Sequence, residues 1–82
     1  MEESRVKPDV YLDLKGVPCP LNYVRTKLKL EEMEVGQVIE VILDDGEPIE
    51  NVPPSLQNDG QEIILQEEIN DSRWRVVVRK RV

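Results

Sequence analysis

The chain has no histidine, no phenylalanine and a single cysteine, Cys19. Without histidine a cysteine–histidine hydrolase has no general base, and an ordinary zinc site lacks its nitrogen ligands. One cysteine cannot close an internal disulfide, so nothing points to stapling for an oxidising compartment, and a reducing cytosol would keep the thiol free. Aromatic side chains are confined to Tyr11, Tyr23 and Trp74, which predicts an aliphatic core. No apolar run approaches the roughly 18 residues that a membrane helix needs. The opening MEESRVKPDVYLDL carries acids from its second residue and has no apolar stretch of the secretory kind. These absences predict a cytoplasmic protein with no membrane partner.

Basic residues are also missing over half the chain. From Glu31 to Asp71 there are thirteen Asp and Glu and no Lys or Arg, whereas Arg73 to Arg81 holds five basic residues and no acid. The net charge of −6 argues against general nucleic-acid binding, which rests on neutralising phosphates. The tail RWRVVVRKR keeps a small RNA-binding domain as the weakest reading. Arginines on the solvent face of a strand, answering the acidic middle of the chain, account for it more simply.

What is present is enough for one domain. The 82 residues have room for one modest core, expected over residues 9–82 after a flexible segment 1–8. Asp9–Leu14 alternates Val10, Leu12 and Leu14 with Tyr11 and Asp13, the period of a half-buried strand. From Pro20 to about Glu34, Leu21, Val24 and Leu28 recur at helical spacing and predict the buried stripe of a helix, with Gly36 just past its end. Gln37–Asp45 reads as a second strand, with Ile39, Val41 and Leu43 on one face and Val38 and Ile42 on the other. Glu47–Asn58 has helical spacing at Ile49, Val52 and Leu56, but Pro53 and Pro54 predict a kinked or split helix. Gln61–Ile69 and Arg73–Val82 read as strands joined at Asn70–Ser72 in a hairpin. The order βαβαββ predicts a two-layer α+β sandwich, with a four-stranded mixed sheet and both helices on one face.

Cys19 falls in the connection between the first strand and the first helix, between Pro18 and Pro20. With Pro20 at the first helical position, Cys19 is the expected N-cap. The unpaired N–H groups of a first helical turn favour an anion, and thiolate is the nucleophilic form of cysteine. Cysteine is a poor capping residue compared with Ser, Thr, Asp or Asn, so capping alone does not explain it. A buried, inert cysteine is the ordinary alternative. The flanking prolines, which fix the backbone on either side, favour a thiol held out for reaction. The chemistry then open to it occurs on sulfur itself: thiol exchange, or accepting and passing on a sulfur atom as a persulfide.

From Leu12 to Asp45, LDLKGVPCPLNYVRTKLKLEEMEVGQVIEVILDD resembles the TusA/SirA-like sulfur-carrier family. That family shares a strand, a Gly, a Cys-Pro-x-Pro motif opening a helix, a Gly before the second strand and an acidic end to that strand. The resemblance runs from Val10 to Lys80 and implies the same sandwich. It implies that Cys19 is the catalytic residue, taking persulfide sulfur from a cysteine desulfurase or another sulfurtransferase and relaying it towards tRNA thiolation, cofactor assembly or sulfur metabolism. Gly16, Pro18 and Pro20 are the implied positioning residues. Asn22 stands where the second Pro of the motif is usual, and its N–H is expected to lack an intrahelical acceptor, so that Asn22→Pro should be tolerated. Tyr23, Arg25, Lys27, Lys29 and Asp45 are candidate partner contacts, with Tyr23 and Leu30 expected opposite the buried stripe of the first helix. Asp44 and Asp45 are expected to cap the second helix, and Trp74 to lie in the core. No cofactor and no metal are expected. A non-catalytic docking or regulatory module on the same fold is the alternative to the carrier.

Overall fold

The structure, a computed structural model, describes residues 7–70 and 72–82. Most of the expected N-terminal segment (1–6), and Asp71 of the expected hairpin turn, lie outside the described residues. The sheet is built around VIEVIL, whose apolar, β-branched residues suit a strand covered on both faces. It forms β2 (Val38–Asp44), joined by β1 (Val10–Asp13), β3 (Glu62–Asn70) and β4 (Arg73–Arg79), with helices α1 (Leu21–Glu31) and α2 (Glu47–Asn58). Strand order is β1-β2-β4-β3, β1 pairing parallel to β2 and the other pairs antiparallel. Both helices pack on one face, so the βαβαββ sandwich has the predicted architecture.

The register sorts the strands by face. Ile39 lies opposite Val78 and Val41 opposite Val76, all buried in the core, with Leu43 beside Trp74. Val10 and Leu12 of β1 and Ile63 of β3 extend this layer outwards. On the opposite, helix-free face, Asp44 stands across from Arg73, Glu67 from Arg75 and Glu62 from Arg79, and each of these pairs forms an ion pair. Val38, Ile42 and Val77 lie buried among them.

The helices depart from expectation in two ways. α2 is one continuous helix despite Pro53 and Pro54; burial of Ile49, Val52, Pro53 and Leu56 against the sheet overrides the loss of two helical N–H donors. It ends in paired backbone bonds, Gly60 N–H to Gln57 O (3.0 Å) and Gln61 N–H to Leu56 O (3.0 Å). This Schellman arrangement requires Gly60 at φ 101°.

α1 presents the other face to the core. Asn22, Thr26 and Leu30 are buried, followed by Met33 beyond the helix, while Leu21, Val24 and Leu28 are 44%, 40% and 55% exposed. The Thr26 hydroxyl donates to Asn22 O (2.9 Å), so threonine enters the core with its polar group satisfied within the helix. α1 also stops short of the predicted Glu34. Met33 N–H bonds to Leu30 O (3.0 Å), and Lys80 Nζ, one residue past β4, reaches the same carbonyl (2.6 Å) and closes the helix end.

Candidate functional site

The loop carrying Cys19 leaves β1 through Leu14, which is buried and whose N–H bonds to Ile42 O (3.0 Å). Val17 N–H returns to Leu14 O (3.1 Å), closing a turn with Gly16 at φ 78°, a conformation that suits glycine. Gly16 N–H donates to Asp44 Oδ2 (2.9 Å), while Asp44 Oδ1 accepts from Arg73 Nε (2.9 Å). One carboxylate at the end of β2 therefore fastens the cysteine loop to β4. Val17 then packs against the core.

Beyond Val17, Pro18 and Pro20 are exposed and Cys19 between them is half-buried, with a free thiol. The Cys19–Pro20 peptide is cis. Pro20, not Cys19, occupies the N-cap position, with no side-chain capping bond, and the first helical residue is Leu21; a residue with no side-chain acceptor stands where a capping thiol was expected. Asn22 N–H donates to Pro18 O (3.1 Å), and Val24 N–H to Pro20 O (3.0 Å). Cys19 is thus held between two anchors, the Gly16–Asp44 bond behind it and the Pro18–Asn22 bond ahead.

Asn22 is fully buried, its Oδ1 accepts from Tyr23 N–H (2.6 Å), and its Nδ2 has no partner among the described residues. Its N–H has no acceptor within the helix, as expected of the first turn, but it is not spare, because Pro18 O accepts it from outside.

The candidate contact residues separate in space. Arg25 and Lys27 are exposed, and Lys29 pairs with Glu32 at 3.3 Å. Tyr23 is half-buried, packs on the core and donates its hydroxyl to Asp59 at the end of α2. That bond, then burial and the charge of Asp59, raise the Tyr23 pKa above its ordinary 10.0. Leu30 is core, so neither it nor Tyr23 belongs to the outward face of α1. Asp45 accepts from Trp74 Nε1 (2.9 Å), and its N–H donates to Ser72 O (2.9 Å). Neither Asp44 nor Asp45 caps α2, whose N-cap is Gly46. Trp74 is half-buried at the edge of the core.

Two features escaped the sequence reading. The acidic end of β2 signalled the grip of Asp44 on Gly16, but only the fold shows which of two adjacent aspartates reaches the loop. The outward stripe Leu21, Val24 and Leu28 was visible as a pattern and assigned to the wrong face. Among the described residues no cluster of His, Cys, Asp or Glu is arranged to hold a metal, and no helix is long and apolar enough to cross a membrane.

The fold and site define a small α+β sandwich that holds one free cysteine on a pinned loop at the mouth of its first helix. The family model for Sulfurtransferase TusA matches residues 10–80, and the chain belongs to this family of sulfur carriers. A protein of Archaeoglobus fulgidus named "Putative sulfur carrier protein" is 32% identical over 80 residues, covering 98% of this chain and 91% of the relative. A relative of the same description in Methanocaldococcus jannaschii is 38% identical over 69 residues, covering 84% and 91%. The solution structure of HP1264 from Helicobacter pylori superposes with a TM-score of 0.70 at 25% identity, over 88% of this chain and 97% of that one. Membership in a sulfur-carrier family implies protein partners that give and receive sulfur.

Proposed function

We propose that Cys19 is the sulfur-bearing residue and that it works as a persulfide, loaded by a donor such as a cysteine desulfurase and unloaded by an acceptor in tRNA thiolation, cofactor assembly or sulfur metabolism. In the loading step the Cys19 thiolate attacks the outer sulfur of a donor persulfide. One S–S bond forms as another breaks, the donor leaves as a thiolate, and the transferred sulfur keeps its proton; there is no net oxidation. Unloading repeats the exchange with the acceptor's nucleophile on the outer sulfur.

The carrying observation is the loop itself: a half-buried free thiol pinned on one side by Gly16 and Asp44 and on the other by Pro18 and Asn22. The chain has no second cysteine to resolve the persulfide into a disulfide and no histidine to divert the thiol to hydrolysis. The RNA-binding reading loses its support, because Arg73, Arg75, Arg79 and Arg81 each pair with a carboxylate.

Incubation with a cysteine desulfurase and free cysteine should give a species one sulfur atom heavier, reversed by dithiothreitol and missing in Cys19→Ser. Mass spectrometry that finds no added sulfur, from a desulfurase or a rhodanese-type donor, together with a Cys19→Ser protein that still binds its partners and supports the cellular role, would instead identify a docking module.

A further inference from the structure

We propose that the groove between α2 and β3 is a docking site for a protein segment that presents an arginine, held over Trp74 and against the carboxylates of Glu50 and Glu68. The groove is separate from the sulfur site: no residue lining it belongs to the cysteine loop or to α1.

Its volume is about 440 Å³, and Ile49, Glu50, Pro53 and Pro54 line it from α2, Gln66 from β3 and Trp74 from β4. It lies on the β3 side of α2, whereas α1 meets α2 and β2. Asp45 accepts from Trp74 Nε1 (2.9 Å) and holds the indole in place. With its N–H already used, the ring has only its π-surface left to offer, and that surface attracts a cation.

Around the indole stand acceptors and no positive charge. Glu50 is exposed, and Glu68 is paired with Trp74 in the register, on the same face of the sheet. Among the described residues neither carboxylate has an ion-pair or hydrogen-bond partner. Pro53 and Pro54 add to this surplus, because without a proline N–H the carbonyls of Ile49 and Glu50 lose the donors that a helix supplies from four residues ahead. Pro54 is exposed, so burial does not account for it as it does for Pro53.

An arginine matches this set. Its planar guanidinium stacks on an indole, donates five N–H groups and keeps its charge. A free small cation suits the groove less well, because sites for small ligands enclose most of the ligand, whereas Glu50, Pro54, Gln57 and Gln66 are all exposed here. The occupant needs further contacts beyond the groove, and a chain segment supplies them. A second copy of this chain is opposed by its own net charge of −6, and its C-terminal arginines are already paired with carboxylates.

Trp74 is the one tryptophan of the chain, so its fluorescence reports on the groove directly. The capped tripeptide Leu-Arg-Leu should change that emission saturably. The same peptide with citrulline, which keeps the shape and loses the charge, should bind about tenfold more weakly. Glu50→Gln with Glu68→Gln should weaken Leu-Arg-Leu by a similar factor. Glu31→Gln with Glu34→Gln, an equal change of net charge at exposed positions near the end of α1, should alter its binding by less than about twofold. No saturable change in emission, equal binding of the citrulline peptide, or unaltered binding by the Glu50 and Glu68 variant overturns the proposal. Methylguanidinium that binds as tightly as Leu-Arg-Leu also overturns it and assigns the groove to a free small cation. A protein that binds Leu-Arg-Leu as expected yet takes no sulfur on Cys19 upholds the groove while the carrier reading falls.

Discussion

Asn22 concentrates the competing demands on the site. Its backbone N–H anchors Pro18, and its carbonyl accepts from Thr26, yet its side chain is buried with Nδ2 unpaired among the described residues. An unsatisfied buried donor costs about 1–3 kcal/mol, whereas the net worth of one backbone hydrogen bond is about 0.5–1.5 kcal/mol. Two substitutions separate the effects. Asn22→Val removes the stranded Nδ2 together with the Oδ1 that accepts from Tyr23 N–H, and keeps the bond to Pro18, so gain and loss should offset and leave stability within about 1 kcal/mol of wild type. Asn22→Pro removes the Pro18 bond as well and should be less stable than Asn22→Val by about 0.5–1.5 kcal/mol. Urea denaturation of the two variants measures the difference. Equal stabilities would mean that the Pro18 bond contributes nothing, and a large loss in Asn22→Val would mean that the bond from Tyr23 N–H to Oδ1 outweighs the stranded Nδ2. The mild effect expected for Asn22→Pro then arises from cancellation, not from an N–H that was spare.

Among the elements, α1 is tied to its surroundings at both ends: by Pro18 and by the Tyr23 hydroxyl on Asp59 in its first turn, and by Lys80 at its end. The Tyr23 bond exists only while the phenol holds its proton, and the Tyr23 pKa is raised by that bond first. A raised folded-state value means that the contribution is complete below 10.0 and is lost as pH climbs through the higher folded value. Phenolate absorbance should therefore show a late-titrating tyrosine that vanishes in Tyr23→Phe. At neutral pH that variant should lose about 1 kcal/mol, less than is usual for a bond to a charged group, because the pair is partly exposed. These ties also explain how α1 was read. Leu21, Val24 and Leu28 recur as regularly as Asn22, Thr26, Leu30 and Met33, and hydrophobicity alone favours the first row. The loop anchors and the hydroxyl bond of Thr26 choose the second, and neither is visible in periodicity. The strands, by contrast, were legible because alternation in β2 and β4 leaves one assignment of faces. The two prolines of α2 misled because local propensity says nothing of the sheet waiting beneath Ile49, Val52 and Leu56. At the site the cysteine and its flanking prolines stood out in the sequence, while its N-cap role, the Asp44 anchor and the outward stripe depended on tertiary contacts.

Across the whole molecule, the segregated charge of the sequence becomes a lattice once β4 inserts between β2 and β3. Asp44, Glu67 and Glu62 fall opposite Arg73, Arg75 and Arg79, and Arg81 also reaches Glu62 (2.8 Å). A one-residue slip of β4 would set these arginines on the helix side and the core valines on the other, so charge and apolar pattern specify the same register. Exposed pairs of this kind add little stability one by one. Their larger effect is to occupy the basic tail, leaving a net charge of −6 with no free cationic strand face to attract a polyanion. The wild type should therefore pass through a heparin column at about physiological ionic strength, where phosphate-like contacts retain basic proteins. Glu62→Gln combined with Glu67→Gln removes the carboxylate that Arg79 and Arg81 share and the one that Glu67 offers Arg75, without altering side-chain size. That variant should be retained and should elute with added salt, its fold unchanged by circular dichroism. Retention of the wild type would show that the arginines bind polyanions despite their carboxylates and would restore the RNA-binding reading. Failure of the folded variant to bind would place the cause in the acidic remainder of the surface, not in the pairing.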